Sequence, residues 1–417
     1  MEKLHITKNK VTVYSYDMPH LHSFYLSLNI KAGAIYEETR GITHLLEHVS
    51  CMTLYDLFQN DTCRELEKYG LSFNGMTDDN VLRFTIEGNA KFFKEACNIF
   101  VTLLNQTYTP QAFKVEKDRL FREIEENYNP THISSLAKDA VWDGTPLASH
   151  QTTETIRLIT LNHLRAEYKK IFTAKNMFFY ATGAISQEAL DYFYCLIESY
   201  SIRPGKEERK NVVSPPVGFL NRKLHIYAMP ASYSAVSFNF DYEPKKYAPH
   251  EINFLTRVLF RGGDSIIYKT LSFKRGLIYE CNDNEVCFDN VGNTCFDYEV
   301  ASESLFESIK AAVEILRSIK IDINDFDFNR VRVEYSEKTH YTIDDVEAMN
   351  ERMTYDNHIC SYDYIDFLEI SKRYSTVTKE RLQTIAQEIF TPQNITLIIK
   401  WEKKPDIKRI RELVSKI

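Results

Sequence analysis

Hydrophobic and polar residues alternate in two pairs of short stretches, one pair in each half of the chain. In the first half the alternation covers 24–30 and 82–86, and in the second half it covers 236–242 and 296–300. A period of two is typical of half-buried strands, and the later stretch of each pair leads into a helix-like pattern. The pattern therefore predicts that the two halves contain the same elements in the same order.

The ends of the two halves also match. Residues 164–176 end in Ile-Phe-Thr-Ala-Lys-Asn before an apolar strand, and residues 382–394 end in Ile-Phe-Thr-Pro-Gln-Asn before another. The matching segments of the two halves lie 211 to 218 residues apart. A polar stretch rich in helix breakers separates the halves. We therefore expect an internal duplication, with domains at 1–202 and 217–417 and a linker at 203–216.

The fold class follows from the order of these elements. Strands alternate with helices, but the strands read as hairpin-like antiparallel pairs and not as strict strand–helix–strand repeats. This order predicts an α+β protein with two homologous domains, each a mostly antiparallel sheet with helices packed on one face.

Composition narrows the functional classes. The 417 residues are 44% hydrophobic and 26% charged, which is ordinary for a globular protein with about two cores. A net charge of −7 argues against a nucleic-acid binder. The sequence has no uninterrupted apolar run of about 18 residues, so we expect no membrane-spanning helix. Without an apolar segment after Met1, the eight scattered cysteines suggest reduced thiols and a cytoplasmic protein. Cys281, Cys287 and Cys295 could form a second metal site, but their spacing lacks a C-x-x-C pair and favours buried thiols.

The most informative motif is His44-Leu45-Leu46-Glu47-His48. On a helix these spacings place both imidazoles and the carboxylate on one face. Two neutral imidazoles suit zinc, and a nearby carboxylate that does not bind the metal is suited to proton transfer. The order His-x-x-Glu-His is the inverted form of a common zinc-hydrolase motif.

The duplication provides a test of this motif. Shifted by the offsets of the repeat, the motif falls within 255–266, which contains Arg261-Gly262-Gly263-Asp264-Ser265 and neither His nor Glu. A residue set needed only for core packing is expected in both halves. Its restriction to one half favours chemistry.

A zinc ion held by two histidines needs a third protein ligand. The charged, helix-forming stretch 115–126 contains four glutamates, and spacing alone does not choose among them. Glu116 and Glu123 are seven residues apart and share a helix face, whereas Glu125 and Glu126 fit a solvated face.

Several motifs in order resemble the inverzincin metallopeptidases of the pitrilysin, insulin-degrading enzyme and mitochondrial processing peptidase type. Residues 31–41 resemble the family's R-A-G-S…E…G segment before the inverted zinc motif. Residues 66–77 resemble its L-G-G-x-F-N-A-x-T segment, and Arg122-Glu123 resembles the R-E pair that carries its third ligand.

The resemblance implies one zinc ion per chain, bound by His44, His48 and Glu123. It implies that Glu47 is the general base that activates water. Glu116 falls on a second glutamate of the family, which would orient a ligand or help to handle protons.

The resemblance also implies residues that contact substrate. Asn74, near an exposed strand, would help to fix an extended peptide by backbone pairing. Residues 271–279 resemble the family's L-R-E-K-x-G-L-x-Y, whose Tyr, here Tyr279, helps to stabilise the oxyanion. Ser272 stands where the family has Arg, and Arg275, three residues later, should not point in the same direction.

These expectations describe a zinc endopeptidase that cleaves unfolded peptides or precursor and leader peptides in an enclosed chamber. The missing Arg favours a catalytic subunit that works with a homologous, metal-less partner, and a homodimer is the other arrangement. The alternative function is a non-catalytic peptide-binding or scaffold subunit of the same family.

Overall fold

The fold is described from a computed structural model. It covers residues 1–58, 64–127, 129–148, 151–206, 208–214, 224–360 and 365–417. Of the expected linker 203–216, Glu207, Pro215 and Pro216 lie outside the described residues, as do the first residues of the expected second domain, 217–223.

The chain forms two compact units. Unit 1 comprises Met1–Tyr128, Ser149–Asn211 and Tyr341–Phe367, and unit 2 comprises Asn129–Ala148, Val212–His340 and Leu368–Ile417. Each unit therefore takes most of one half of the sequence and a short segment of the other half.

The strands of the described residues belong to two sheets. In chain order they are β1 (Glu2–Ile6), β2 (Thr12–Asp17), β3 (Ser23–Ile30), β4 (Ser72–Thr77), β5 (Leu82–Asn89), β6 (Met177–Gly183), β7 (His225–Pro230), β8 (Ser234–Tyr242), β9 (Asn282–Cys287), β10 (Gly292–Val300) and β11 (Ile395–Trp401).

Helices fill most of the remaining described sequence. In chain order they are α1 (Ile42–Phe58), α2 (Glu65–Tyr69), α3 (Phe93–Phe100), α4 (Pro110–Asn127), α5 (Ile133–Val141), α6 (Thr153–Leu158), α7 (Leu161–Ile171), α8 (Gln187–Glu198), α9 (Pro249–Leu259), α10 (Ile266–Tyr268), α11 (Leu305–Ser318), α12 (Asp325–Thr342), α13 (Val346–Thr354), α14 (Phe367–Thr376), α15 (Lys379–Ile389) and α16 (Ile407–Val414). Short 3-10 helices cover Ala34–Tyr36, Ala90–Phe92, Val101–Asn105 and Ser302–Ser304, and π-helical turns cover Lys269–Lys274 and Tyr355–Ile359.

Five strands of the unit 1 sheet have the same topology as the five strands of the unit 2 sheet, and β1 is an additional edge strand of unit 1. Unit 1 has the strand order β1-β2-β6-β3-β5-β4, and unit 2 has the order β7-β11-β8-β10-β9. In each sheet one pair is parallel, β2 with β6 and β7 with β11, and the other pairs are antiparallel. The predicted α+β class and the internal duplication are therefore confirmed.

The apolar positions of the unit 1 strands face the helices that follow them in sequence. Phe24, Leu26 and Leu28 on β3 are fully buried in one cluster with Leu45 and Leu46 of α1. Because neighbouring residues of a strand point to opposite faces, this period of two fixes which face of the sheet carries α1.

A helix from the opposite half of the sequence packs in each unit. In unit 1, α13 lies on β3 and β6, where the fully buried Asn350 accepts a hydrogen bond from Ser27 Oγ at 2.7 Å and donates one to the Tyr180 carbonyl at 2.9 Å. In unit 2, α5 lies on β8 and β11. Ser27 points away from the face occupied by α1, so α13 adds a helix on the second face of that sheet.

Two further findings concern the described residues as a whole. None of their helices is both long and apolar enough to cross a bilayer. The seven cysteines among them form no disulfide with one another. The expected cytoplasmic location stays a prediction.

Candidate metal centre

Helix α1 presents His44, Glu47 and His48 on one side. Its N-terminus is capped by the carboxylate of Glu37, which accepts the backbone N–H groups of Gly41 at 3.0 Å and Thr43 at 2.9 Å. A carboxylate at this end also suits the helix dipole. The motif is therefore held at the rigid first turns of a capped helix.

Helix α4 packs on α1 and brings two glutamates to the motif. Glu116, Leu120 and Ile124 are buried along the side that faces the core. Of the two glutamates, Glu116 has a side chain only 2% exposed, whereas that of Glu123 is 39% exposed. Glu116 is thus sealed behind the site, and Glu123 lies at its solvent side.

The side chains of His44, His48 and Glu123 converge on one point. The two Nε2 atoms are 3.2 Å apart, Glu123 Oε1 is 3.6 Å from His44 Nε2, and Glu123 Oε2 is 3.3 Å from His48 Nε2. Ligands about 2.0–2.1 Å from a tetrahedral zinc ion lie about 3.3–3.4 Å from one another. These three residues form the one group of potential ligands found in the part of the chain that the structure describes.

The other nitrogen of each imidazole faces a hydrogen-bond acceptor. His48 Nδ1 lies 3.3 Å from Glu116 Oε2, and His44 Nδ1 lies 3.1 Å from Gln151 Oε1. These acceptors favour the tautomer with the hydrogen on Nδ1, which leaves Nε2 of a metal-binding imidazole with a lone pair. Two lone pairs and a carboxylate that face one another repel unless a cation lies between them, so the donor set fits a zinc ion.

The charges around His48 favour its protonated form in the absence of a metal. Burial acts to lower the pKa of His48, but the hydrogen bond to Glu116 and the charges of Glu47 and Glu123 outweigh burial, so the pKa is raised above 6.5. Arg119 lies 2.9 Å from Glu116 Oε1 and balances part of the negative charge. A proton therefore competes with a cation for this site as pH falls.

Glu47 lies between α1 and the edge strand β4. Its carboxylate accepts a hydrogen bond from Thr77 Oγ1 at 2.8 Å and is only 9% exposed. Gly75 on β4 faces the same side chain: a Cβ atom there would lie 2.8 Å from Glu47 Cγ and 2.8 Å from Cys51 Sγ. The glycine therefore provides the space that the glutamate occupies.

The structure brings five of the seven candidate residues together in unit 1: His44, Glu47, His48, Glu116 and Glu123. Asn74 is exposed on the edge strand β4, and its Oδ1 accepts the Gly75 N–H at 2.9 Å. Tyr279 belongs to unit 2, where it is 92% exposed.

Arg275, the first arginine in sequence after Ser272, lies against a helix of unit 2. Ser272 lies in the π-helical turn Lys269–Lys274, and Arg275 follows it. The Arg275 guanidinium lies 3.6 Å from Glu307 and 3.7 Å from Glu314, both on α11. It is therefore already directed at a helix of its own unit.

Sequence reasoning missed two residues of this site. Gln151 contacts His44 from a position 107 residues later, and no spacing rule connects the two. Thr77 belongs to a motif that the sequence indicated, but its hydrogen bond to Glu47 was not predicted. Thr77 is two residues beyond Gly75 and therefore lies on the same face of the edge strand β4, which is the signal that could have identified it.

The corresponding place in unit 2 holds a network of ion pairs. There α9, β9 and α12 follow one another as α1, β4 and α4 do in unit 1. Arg257 lies 2.9 Å from Glu334 and 2.6 Å from Asp264, while Arg261 lies 2.7 Å from Asp283 and 3.1 Å from Glu285. Fixed cations of the chain thus balance the carboxylates of unit 2, whereas the group in unit 1 presents an excess of acceptors.

Two family models match successive parts of the chain. Residues 12–153 match the model described as Insulinase (Peptidase family M16), and residues 158–334 match the model described as Peptidase M16 inactive domain. The first match contains all five residues that converge in unit 1.

Individual relatives agree with these matches. An uncharacterized zinc protease of Rickettsia felis is 24% identical over 193 residues, which cover 44% of this chain and 46% of that protein. The beta subunit of the mitochondrial-processing peptidase of Neurospora crassa is 26% identical over 196 residues, which cover 44% of this chain and 40% of that protein. The chain thus matches less than half the length of these curated relatives.

The fold is also found in solved structures. A protease from Helicobacter pylori superposes with a TM-score of 0.81 at 15% sequence identity, and the superposition covers 96% of this chain and 99% of that chain. At this identity the likeness concerns the fold.

Proposed function

The chain belongs to the M16 peptidase family, and from that premise we propose that it is a zinc-dependent endopeptidase with its metal centre at His44, His48 and Glu123. Its substrates in this proposal are unfolded peptides, including precursor or leader peptides, cleaved in an enclosed chamber. The single observation that carries the proposal is the convergence of the two Nε2 atoms and a carboxylate within 3.6 Å of one another.

Each residue of the group has a distinct task in this proposal. A bound zinc ion supplies a Lewis acid, which polarises a peptide carbonyl and makes water a stronger acid. Glu47 takes a proton from the attacking water and gives it to the leaving amine. Thr77 fixes one oxygen of Glu47, so the other oxygen, next to Gly75, serves the proton transfer. Glu116 and Gln151 hold the two imidazoles in the tautomer that leaves Nε2 open.

The first test is metal content. Protein purified without chelators should contain about one zinc ion per chain by atomic emission spectroscopy, and His44→Ala should contain much less. Wild-type protein without metal, or equal zinc in both proteins, would rule out this metal centre.

The second test separates metal binding from catalysis. Glu47→Gln should retain zinc and lose cleavage of a fluorogenic peptide library by roughly 100-fold or more, since proton transfer by a positioned side chain contributes about 10²–10⁴-fold. Glu126→Gln removes an equal charge from an exposed position of α4 and serves as the matched control. Cleavage by Glu47→Gln at the wild-type rate would contradict the proposed role of Glu47.

A partner subunit is the third part of the proposal. Ser272 stands at the expected Arg position, and Arg275 is directed at Glu307 and Glu314, so this chain provides one fewer cation for substrate. We propose that a homologous, metal-less chain supplies it and that Tyr279 and Asn74 act in the assembled enzyme. If wild type is inactive alone, cleavage should appear on addition of a co-expressed homologue.

The same observation gives the alternative function its support. A peptide-binding or scaffold subunit would bind peptides without cleaving them, with or without a homologue present. Zinc-loaded protein that binds a peptide library but leaves it intact under both conditions would establish that alternative.

A further inference from the structure

A cavity of about 700 Å³ in unit 1 carries an unusual concentration of positive charge. Four lysines line it, at positions 10, 31, 175 and 206, together with one glutamate, Glu208, which leaves a formal charge of +3. The whole chain has a net charge of −7. The residues lining this space, called here the lysine cavity, therefore oppose the overall charge of the protein.

Among the described residues, most of this charge is not paired with a carboxylate. Lys31 forms an ion pair with Glu208. The Lys175 ammonium donates to the Lys206 carbonyl at 3.1 Å. Within the described ranges, the ammonium groups of Lys10, Lys175 and Lys206 form no ion pair with a carboxylate. An anion in the cavity would meet cations that have no other charged partner there.

The backbone of Lys10 is a second, independent observation. Lys10 has φ of 69°, and it is the one non-glycine residue with positive φ in the described part of the chain. It lies in the turn between β1 and β2, where its N–H bonds to the Thr7 carbonyl at 2.9 Å. Glycine occupies this conformation at lower cost, so the turn itself does not require a lysine.

The wall of the lysine cavity is fixed by aromatic packing. Tyr14 stacks on His358 with ring centroids 3.8 Å apart, and His358 Nε2 lies 3.0 Å from the carboxylate of Glu2. Tyr180 Oη also donates to Glu2, at 2.7 Å. The Glu2 carboxylate is therefore paired with His358 and Tyr180 and not with the lysines.

The lysine cavity is separate from the metal centre. It is lined by residues of β2 and β6, whereas Gly75 and Thr77 lie on β4, three strand positions from β6. At about 4.8 Å per strand this is a separation of about 14 Å. Thr12 and Tyr14 also alternate with Val11 and Val13, which belong to the core beneath α1, so the cavity opens on the other face of the sheet.

We propose that the lysine cavity binds a phosphate-bearing small molecule. Lysines bind phosphate as point charges, and a phosphate group carries more negative charge than a carboxylate, which suits a lining with four ammonium groups. The volume lies within the range of about 300–1,000 Å³ typical of small-ligand sites. This inference does not depend on peptidase activity.

The test is calorimetric titration of the full chain at low salt with phosphate, pyrophosphate and tripolyphosphate. Affinity should rise along this series and fall with added salt, because charge pairing drives it. The same titration on chelator-treated protein should give the same result, which separates the cavity from any metal that tripolyphosphate could extract. Absence of binding, or binding that depends on the metal, would overturn the proposal.

A double variant locates the binding. Lys10→Gly relaxes a backbone that favours glycine. Lys175→Gln reproduces the residue of the equivalent turn in unit 2, where Gln393 precedes Asn394 and where Asn394 makes the same pattern of hydrogen bonds as Asn176. Both changes should therefore preserve the fold, as checked by the thermal midpoint.

We expect the double variant to bind tripolyphosphate roughly 30- to 100-fold more weakly, about five- to tenfold per lysine. The control Lys403→Gln with Lys404→Gln removes the same charge from exposed positions of unit 2 and should bind within twofold of wild type. Equal losses in both double variants would indicate general charge attraction and refute the site. Tighter binding of a tetraglutamate peptide than of tripolyphosphate would refute the phosphate assignment.

Discussion

Replacing Glu116 by Gln is the sharpest test of how the metal centre is built. The Glu116 carboxylate is 2% exposed, and its Oε2 faces two donors, His48 Nδ1 at 3.3 Å and Arg119 Nη1 at 3.2 Å. A glutamine has one accepting oxygen and one donating amide. If the glutamine oxygen takes the place of Oε2, its NH2 group lies at the place of Oε1, 2.9 Å from the Arg119 Nη1 donor; in the other orientation the NH2 group faces both His48 and Arg119.

The size of the effect follows from this arrangement. Glu116 touches no other candidate ligand directly, so its replacement should leave all three ligands in place. Loss of a charged acceptor behind a ligating histidine costs about 10- to 100-fold in metal affinity. This corresponds to about 1.4–2.7 kcal/mol.

Zinc affinity is measured by competition with a fluorescent chelator at pH 8. Glu126→Gln, on the same helix but exposed, removes the same charge and should stay within twofold of wild type. An unchanged affinity in Glu116→Gln would refute the role of Glu116 in fixing His48. Equal losses in both variants would mean that only overall charge matters.

The same variant makes a prediction about pH. Burial lowers the pKa of His48, but Glu116 is the first of the groups that raise it, and the balance leaves the pKa raised. Without this carboxylate the pKa of His48 should fall, so proton competition should begin at a lower pH. Zinc affinity of Glu116→Gln, although weaker at pH 8, should therefore decline less between pH 8 and pH 6 than that of wild type.

Three other changes test separate features. Gly75→Ala places a Cβ 2.8 Å from Glu47 Cγ, so peptide cleavage should fall at least about tenfold at normal zinc content; wild-type cleavage would contradict the role of the close contact. Asn350→Leu removes buried hydrogen bonds to Ser27 Oγ and to the Tyr180 carbonyl and should lower the free energy of unfolding by about 2–4 kcal/mol in urea titrations; a loss below about 0.5 kcal/mol would contradict this reasoning. Burial raises the pKa of Asp297 to about 6, so the folded state binds a proton more tightly than the unfolded state, and stability falls as pH rises from about 4 to 6. At pH 7.5, Asp297→Asn should therefore raise the thermal midpoint, with a gain of up to about 3 kcal/mol in the free energy of unfolding. At pH 4 the substitution should have little effect, and equal effects at both pH values would refute this reasoning.

Local patterns in the sequence predicted a large part of the fold. The period-two stretches at 24–30 and 236–242 became β3 and β8, because burial of one sheet face imposes that period. The repeated ends of the two halves became α7 with β6 and α15 with β11. The spacing of His44, Glu47 and His48 placed them on one face of a helix, since helical geometry is set within one turn.

For the third ligand, the sequence was informative but not sufficient. Spacing put Glu116 and Glu123 on one face of α4 and left the choice between them open, and the family resemblance favoured Glu123 as ligand. The packing of α4 on α1 separates them: Glu123 lies beside both Nε2 atoms, and Glu116 lies behind His48 Nδ1.

By itself, then, the sequence determined the features that depend on neighbours along the chain: the strands, the helices, the duplication and the histidine motif. Only the tertiary structure decided the features that depend on distant segments. These are the contact of Gln151 with His44, the packing of α13 in unit 1 and α5 in unit 2, and the meeting of four lysines in one cavity. The physical reason is that periodicity records which face of an element is buried, whereas no local pattern records which distant side chain will lie against it.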